Sequence, residues 1–239
     1  AQESYLSIKK IINAALKAKA DAIHPGYGFL AENDKFAQQV IDTGFIWIGP
    51  KPNTIVSMGN KDIARDLAVK SNLPICPGLN KEEIETDVLE KKCNEIGFPI
   101  LVKASAGGGG IGMQIAKDYD QLIKSIEKTK NLAKKAFGNS DIFLEKFIAN
   151  AKHIEIQVFG FGEKKAIHLY ERDCSVQRRF QKIIEESPAP KIEQSIITKM
   201  AESAVNFATN QQYEGVGTVE FIYDIDEKKF YFLEMNTRI

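Results

Sequence analysis

The sequence predicts a mixed fold, in which α/β units come first and an α+β unit with an antiparallel sheet follows. Helical patterns and short apolar segments alternate over residues 1–146, which is the order typical of α/β proteins. Beyond residue 146, long segments with two-residue alternation surround a single helical pattern, which favours an antiparallel sheet. The sequence shows no internal repeat.

The composition excludes several classes of protein. The 239 residues are 44% hydrophobic and 27% charged, and 32 basic side chains balance 32 acidic ones. A net charge of zero gives no electrostatic basis for wrapping nucleic acid or for lying on an anionic membrane. No apolar run approaches the roughly 20 residues that a bilayer span needs. We therefore expect a globular protein that has neither nucleic acid nor a membrane as partner.

The cysteines indicate the cellular compartment, and the two ends of the sequence indicate whether it is part of a longer protein. Cys76, Cys93 and Cys174 lie far apart and form no metal-binding spacing, so we expect buried thiols in a reducing compartment. That compartment is the cytoplasm, with the mitochondrial matrix as the alternative. The first residue is Ala1 rather than a methionine, and the sequence stops directly after an apolar strand. We expect a fragment of a longer protein.

The first 75 residues predict a βαβ-like unit followed by two short helices. Four elements form this unit: a helix over 4–20, a strand over 21–23, a helix from about 33 to 42 and a strand over 45–48. The second strand is apolar throughout, which suits a parallel sheet covered on both faces. Pro52 stands at a first-turn position and begins the helices. We assign residues 1–50 to a partial N-terminal domain and residues 51–75 to a helical linker.

Residues 76–146 predict a small α/β domain with a glycine-rich loop. Its elements are a helix over 81–96, strands over 100–104 and 113–116, a helix over 119–136 and a strand over 142–145. Lys103 precedes the loop, and the consecutive N–H groups of Gly107–Gly110 can form an anion-binding nest. A flexible linker is the alternative. Walker A and Rossmann loops open a helix, whereas this loop joins two strands, so a lid over phosphates fits better.

Residues 147–239 predict strands over 152–159 and 165–171, a helix over 192–210 and a hairpin over 217–235. With its turn at Asp226–Lys228, the hairpin places Glu220 opposite Glu234, with Cβ atoms roughly 5 Å apart. Apolar neighbours of both parities suggest that both faces of the hairpin are buried. Two facing carboxylates then need a neutralising group, and Mg²⁺ accepts carboxylates together with phosphates. A solvated strand end is the alternative.

Two further polar segments are candidates for the same site. His153, Glu155 and Gln157 share one face of an alternating strand, and alone this row favours a solvated face over a cleft. The cationic segment 177–182 follows a strand, and it is either a basic surface loop or an array that binds oxyanions.

Taken together, these segments resemble the biotin carboxylase family of ATP-grasp enzymes. The resemblance covers nearly the whole chain in family order, in seven stretches: His24–Asn33, Met58–Lys61, the glycine loop, Leu144–Lys146, Lys152–Val158, Glu171–Lys182 and Glu234–Arg238. It implies an ATP-grasp fold with a partial, Rossmann-like N-terminal domain, a lid over residues 76–146 and an incomplete C-terminal subdomain over residues 147–239.

The resemblance implies an ATP-dependent ligase. ATP would phosphorylate bicarbonate to carboxyphosphate, which delivers CO₂ to biotin on a carrier protein or domain. Such enzymes are components of acetyl-CoA carboxylase in fatty acid biosynthesis and of propionyl-CoA, methylcrotonyl-CoA, pyruvate or urea carboxylases. The implied cofactors are ATP and Mg²⁺ or Mn²⁺, and the implied partners are the biotin carrier, a carboxyltransferase component and a second copy in a homodimer.

The resemblance also implies roles for single residues, in family order. Phosphates would be bound by Lys61 and Lys103 under a lid that contains Gly109 and Gly110. Adenine would meet backbone groups of the hinge residues, which are Glu145, Lys146, Phe147 and Ile148. His153 would reach the ribose and Gln177 the nucleotide. The metal positions are Glu220, Glu234 and Asn236, Lys182 matches a bicarbonate ligand, and Arg238 matches the catalytic arginine.

Departures from the family pattern leave two alternatives open. Ala106, Ile111 and Phe180 differ from common family residues, and the Gln-Val-Glu-His stretch that supplies the base is absent after Arg238. One alternative is another ATP-grasp carboxylate–amine ligase, although such enzymes lack the Gln-Arg-Arg-x-Gln-Lys segment. The other is a nucleotide-binding module without turnover.

Overall fold

The computed structural model describes residues 1–105, 113–163, 165–178 and 181–237, without the side chain of Phe137. Its helices are α1 Ile8–Ala18, α2 Asp34–Asp42, α3 Pro52–Gly59, α4 Lys61–Lys70, α5 Lys81–Ile84, α6 Leu89–Ile96, α7 Tyr119–Phe137 and α8 Gln194–Asn210. Its strands are β1 Ala22–Ile23, β2 Ile46–Trp47, β3 Gly78–Leu79, β4 Ile100–Ala104, β5 Gln114–Ala116, β6 Ile142–Lys146, β7 Ala151–Phe161, β8 Ala166–Arg178, β9 Gln181–Glu186, β10 Glu214–Asp224 and β11 Lys229–Thr237. Within this described part, no helix is both long and apolar enough to cross a bilayer.

The N-terminal residues form a small parallel sheet beside two helices. β1 pairs with β2 in parallel, as the apolar strand predicted. The side chain of Asn33 caps α2 by accepting a hydrogen bond from the N–H of Phe36, 2.8 Å away. Ile46 is 65% exposed, so the expectation that both faces of this sheet are covered is wrong for this chain. Phe36 and Trp47 meet edge to face on the covered side.

A four-stranded antiparallel sheet in the order β3-β6-β4-β5 carries α7 and forms its own core. The glycine loop lies between β4 and β5, outside the described residues. The predicted helix over 81–96 is two helices, α5 and α6, separated by residues 85–88. Asn80 and Glu83 form a capping box at the start of α5, and the hydroxyl of Thr86 donates to the carbonyl of Glu83 at its end. Such local bonds compete with helix propagation, which explains the break.

A five-stranded antiparallel sheet in the order β11-β10-β7-β8-β9 makes up the C-terminal part. α8 packs on one face, and its buried side chains, including Met200 and Phe207, join the inward residues of β7 and β10 in one core. β8 is longer than predicted, and β9 was not predicted at all. Residues 177–178 and 181–182 of the cationic segment therefore belong to paired strands rather than to a surface loop, with Arg178 opposite Gln181.

Candidate functional site

One face of β7 belongs to the core and the other to a cleft. Ile154, Ile156 and Val158 are fully buried in the core that α8 covers. His153, Glu155 and Gln157 point to the opposite side, as the two-residue period requires. Glu155 is nevertheless only 2% exposed. The expectation of a solvated face is therefore wrong, and the polar row lines a cleft.

Glu220 on β10 and Glu234 on β11 are direct cross-strand partners, as predicted from the hairpin. Asn236 is the next residue of β11 on this face, and it pairs with Thr218. Glu220 is 3% exposed and Glu234 is partly exposed. β10 also pairs with β7 in a register that sets Glu220 opposite Glu155. Three carboxylates from neighbouring strands therefore lie side by side on one face of the sheet.

Positive charge and amide donors from the chain itself compensate the Glu220 carboxylate. Lys182 Nζ lies 2.8 Å from its Oε1, His153 Nε2 lies 2.6 Å from its Oε2, and the amide of Asn236 donates to Oε1. Burial alone would raise the pKa of Glu220. Hydrogen bonds from His153 and Lys182, together with the charge of Lys182, outweigh burial and lower that pKa to about 2. Glu220 is consequently an anion at any physiological pH.

Hydrogen bonds on both sides of the imidazole fix the orientation of His153. Gln177 Nε2 lies 2.7 Å from His153 Nδ1, and the same amide donates to the carbonyl of Cys174 at 2.7 Å. With the amide as donor, Nδ1 accepts and Nε2 carries the proton that faces Glu220. Two residues that the resemblance assigned to the nucleotide are thus linked to each other and to the predicted metal ligand.

A second carboxylate, Glu155, holds two cations at once. Arg172 Nε and Lys182 Nζ both donate to its oxygens, and Arg172 also reaches Gln157 Oε1 at 3.1 Å. The two carboxylate partners raise the pKa of Lys182 against the opposing effect of burial. Sequence reasoning assigned no role to Arg172. Its position opposite Glu155 depends on the β7–β8 register, and no local pattern discloses that register.

The donor set at this position fits a hard divalent cation. Glu220, Glu234 and Asn236 offer carboxylate and amide oxygens on one face, and Mg²⁺ and Mn²⁺ prefer such ligands. Glu234 is partly exposed where the two strands meet, and its charge acts on the nearby Lys61 ammonium. These three residues therefore satisfy the chemistry of the predicted site.

A different trio, Glu155, Cys174 and Glu185, also brings its ligand atoms within 4.8 Å of one another. This trio suits Mg²⁺ less well, because one of its three ligands is a thiol and hard divalent cations prefer oxygen. Burial also raises the pKa of the Cys174 thiol to about 12, which disfavours the thiolate that a metal needs.

A second charged cluster joins α4 to the four-stranded sheet. Glu145, on β6, receives Arg65 Nη1 on Oε1 and Lys103 Nζ on Oε2, both at 2.6 Å. Arg65 Nη2 also donates to the carbonyl of Cys76 at 2.6 Å. Lys61 begins α4 between the two clusters, where burial lowers its pKa and the charges of Glu234 and Glu145 oppose that shift. Four predicted residues, Lys61, Lys103, Glu145 and Glu234, are thereby connected through their charges.

The predicted hinge already uses part of its backbone inside the protein. The N–H of Lys146 donates to the carbonyl of Pro77 at 2.8 Å, and the N–H of Phe147 donates to that of Pro99 at 2.9 Å. Ile148 is buried beside Cys76 and Tyr231. An adenine ring at this hinge would therefore have to use other backbone groups of the segment.

The polar face opens into a cleft of about 530 Å³, which is within the range of small-molecule sites. Its lining includes five predicted residues, which are His153, Lys182, Glu220, Glu234 and Asn236. A second cleft shares Glu234 and Asn236 and contains Lys61 and Glu32, so the two meet at the predicted metal ligands. Tyr27, Arg172 and Glu185 also line the first cleft and were not predicted. Gly109, Gly110 and Arg238 lie outside the described residues.

Family models match the chain in two segments. The model of the carbamoyl-phosphate synthase L chain, ATP binding domain, matches residues 60–239, and that of the biotin carboxylase N-terminal domain matches residues 1–55. The chain is 45% identical to biotin carboxylase 1 of Bacillus subtilis, over all of this chain and 53% of that protein. It is 46% identical to the mitochondrial methylcrotonoyl-CoA carboxylase subunit alpha of Dictyostelium discoideum, over 34% of that protein. The chain thus spans about half the length of the first relative and about a third of the second.

Solved structures match at similar identity. A biotin carboxylase–β-γ-ATP complex from Campylobacter jejuni has a TM-score of 0.90 and 42% identity, over all of this chain and 53% of that one. The biotin carboxylase domain dimer of the Hydrogenobacter thermophilus 2-oxoglutarate carboxylase has a TM-score of 0.86 and 42% identity. The match covers 98% of this chain and 52% of that one. That second structure contains MgADP, ADP and bicarbonate.

Proposed function

Because the chain belongs to the family of the carbamoyl-phosphate synthase L chain ATP-binding domain and, within it, to the biotin carboxylases, we propose that it carries out ATP- and bicarbonate-dependent carboxylation of biotin. The TM-score of 0.90 to the Campylobacter jejuni enzyme confirms the ATP-grasp fold expected from the resemblance. Biotin would be carried by a separate protein or domain, and the reaction would be the first half of an acyl-CoA or pyruvate carboxylation.

The pairing of Glu220 with Glu234 carries this proposal. Two carboxylates face each other in a cleft that also holds an ammonium, an imidazole and an amide, and phosphoryl transfer needs such a combination. A divalent cation held by Glu220, Glu234 and Asn236 would neutralise the phosphate charge of the nucleotide. Lys61 begins a helix at the adjoining cleft, where its ammonium and the helix N-terminus both favour a phosphate.

The remaining roles follow the resemblance and are part of the same proposal. Lys103 would bind a phosphate, and Glu145 would hold that ammonium in place before the nucleotide arrives. Lys182 and Arg238 would bind bicarbonate, and Arg238 would also stabilise the enolate of biotin. Gly109 and Gly110 would belong to the lid. The hinge at Glu145–Ile148 would hold adenine, and His153 and Gln177 would contact the nucleotide.

We further propose the organisation that the sequence predicts: a partial N-terminal domain over residues 1–50, a linker over 51–75, a lid over 76–146 and a C-terminal ATP-grasp subdomain over 147–239. Three separate hydrophobic clusters support it, one for the β1–β2 unit, one for the four-stranded sheet and one for the five-stranded sheet. A biotin carrier, a carboxyltransferase component and a second copy of the protein are the proposed partners.

Phosphate release from ATP tests the proposal in a protein that contains this chain. We expect release that requires bicarbonate and divalent metal and that increases when free biotin is added. Release that needs bicarbonate but ignores biotin would favour another ATP-grasp carboxylate–amine ligase instead. Titration of Mg-ATP into the 239-residue chain tests nucleotide binding alone, and binding without any turnover in the longer protein would favour a nucleotide-binding module.

A further inference from the structure

Lys182 lies between two buried carboxylates. Its Nζ is 2.8 Å from Glu220 Oε1 and makes a short contact with Glu155 Oε2. The two glutamate side chains are only 4% and 2% exposed, so water screens neither of them well. One ammonium therefore serves as the shared counter-ion of two acids that belong to neighbouring strands.

Both oxygens of Glu220 are engaged by the chain's own donors. Oε1 receives Lys182 and the Asn236 amide, and Oε2 receives the His153 ring. A metal bound to Glu220 at about 2.1 Å would lie close to the Lys182 ammonium, and like charges at such a distance in a buried site repel strongly. Glu220 consequently cannot keep its contact with Lys182 and bind a divalent cation with full affinity.

Among the three partners of Glu220, Lys182 has the clearest alternative position. The ring of His153 can keep its hydrogen bond to Oε2, and Asn236 can turn its amide oxygen toward a cation. Lys182 carries a full positive charge and has a second anchor in Glu155, which Arg172 holds from the other side. If the ammonium moved toward Glu155, the negative charge of Glu155 would stay neutralised. Oε1 of Glu220 would then be released from its contact with Lys182.

We propose that Lys182 is the resident counter-ion of Glu220, that it competes directly with the divalent cation, and that it moves onto Glu155 when Glu220 takes the metal. This inference rests on the proposed function, because it assumes the metal position at Glu220, Glu234 and Asn236. When the Lys182 ammonium leaves Glu220, one of its N–H donors becomes available for a small oxyanion such as bicarbonate. Metal binding and anion binding would then strengthen each other by the same factor.

Mn²⁺ binding, followed by electron paramagnetic resonance without nucleotide, tests the competition. The variant Lys182→Gln removes the competing ammonium, and we expect Mn²⁺ to bind about tenfold more tightly, which is within the usual range of coupling between sites. The matched control is Arg172→Gln, which makes the same change in charge. Among the described contacts, Arg172 meets Glu155 but not Glu220. We therefore expect Arg172→Gln to increase the Mn²⁺ affinity less than Lys182→Gln does. An equal gain in both variants, or none in Lys182→Gln, would overturn the inference.

A second measurement on the unsubstituted chain covers the case in which Lys182→Gln fails to fold. The ¹⁵N signal of the Lys182 side chain, assigned from its loss in Lys182→Arg, should shift when Mg²⁺ is added. Glu220→Gln should abolish that shift, because both the metal ligand and the released contact are lost. A signal that ignores Mg²⁺ while Mn²⁺ binds would contradict the inference and leave the proposed function intact. Absence of any Mn²⁺ binding would contradict the proposed metal site, and with it this inference.

Discussion

Glu220 and Glu234 face each other because β11 contains one extra residue, Leu233, between the hairpin turn and the site. Next to the turn, Asp224 pairs with Lys229 and Phe221 pairs with Phe232. The register then shifts by one, and Glu220 pairs with Glu234 rather than with Leu233. In a strand without this bulge, strict alternation after Phe232 would direct Glu234 toward the core. The bulge thus places Glu234 in the cleft and Met235 in the core, where it is 3% exposed.

The first prediction concerns Glu234 as a metal ligand. Replacing Glu234 by Gln removes one anionic ligand without removing its length, and we expect Mn²⁺ affinity to fall at least tenfold, or about 1.4 kcal/mol. Glu227→Gln is the matched control, because Glu227 belongs to the turn of the same hairpin and pairs there with Lys146 and Lys229. Isothermal titration calorimetry measures both variants. Equal affinity in Glu234→Gln and the unsubstituted chain would remove Glu234 from the metal site.

The bulge also shows how a correct prediction can rest on an incorrect turn. The sequence predicts the Glu220–Glu234 pair from a three-residue turn with an uninterrupted ladder, whereas the hairpin has four residues between Asp224 and Lys229. The extra turn residue shifts the register by one position and the extra Leu233 shifts it back, so Glu220 still pairs with Glu234. Phe232 and Met235 are three residues apart and both lie in the core, and this change of parity is the local signal that discloses the bulge.

The polar row of β7 could be predicted, but the individual contacts that it makes with other strands could not. The period of two places His153 and Glu155 on one face from local sequence alone. Lys182 reaches the same face through the β8–β9 pairing, in which it lies opposite Gln177. That pairing depends on contacts between strands, and no short pattern encodes it. The same limit applies to Arg65, which meets Glu145 across 80 residues of sequence.

The second prediction concerns the Arg65–Glu145 ion pair. Glu145 is 7% exposed, and Arg65→Ala leaves Lys103 as its remaining cationic partner. We expect the free energy of unfolding to fall by about 1–3 kcal/mol, which is the usual cost of removing one partner of a buried charged group. Lys92→Ala is the control, because Lys92 forms a more exposed pair with Glu83 and should cost less than about 1 kcal/mol.

A double-mutant cycle in urea separates the Arg65–Glu145 pair from packing. We expect Arg65→Ala and Glu145→Gln to be non-additive by about 0.5–3 kcal/mol, because residues in one ion-pair network couple by such amounts. Additive losses would mean that Arg65 stabilises the fold through its contact with the Cys76 carbonyl rather than through Glu145.

The third prediction concerns the pH dependence of stability at Asp173. Burial would raise the pKa of Asp173, but hydrogen bonds from Lys152 and Ser175 outweigh burial and lower it below its ordinary value of 3.8. A carboxyl whose pKa is lower in the folded state stabilises fully above its ordinary value, and this contribution is lost as the pH falls through the folded pKa. The unfolding free energy of Asp173→Asn should therefore fall below that of the unsubstituted chain at pH 7, and the gap should narrow toward pH 3. The control is Asp42→Asn, on the surface of α2. A difference in unfolding free energy between Asp173→Asn and the unsubstituted chain that stays constant over this pH range would contradict the lowered pKa of Asp173.

The fourth prediction concerns the proposed role of Lys103 as a phosphate ligand. Its ammonium is held on Glu145 at 2.6 Å and lies over the ring of Phe143, and these two contacts fix its position. Lys103→Ala removes a point charge from the phosphate site, and we expect the affinity for Mg-ATP to fall about tenfold, as loss of one charged hydrogen bond would cause. Lys81→Ala is the matched control, because Lys81 is an exposed lysine of the same region whose partner is the partly exposed Asp141. The fall should be smaller for adenosine, which has no phosphate, and calorimetric titration with both ligands measures this difference. An equal loss for the two ligands would mean that Lys103 supports the hinge through Glu145 and does not bind phosphate.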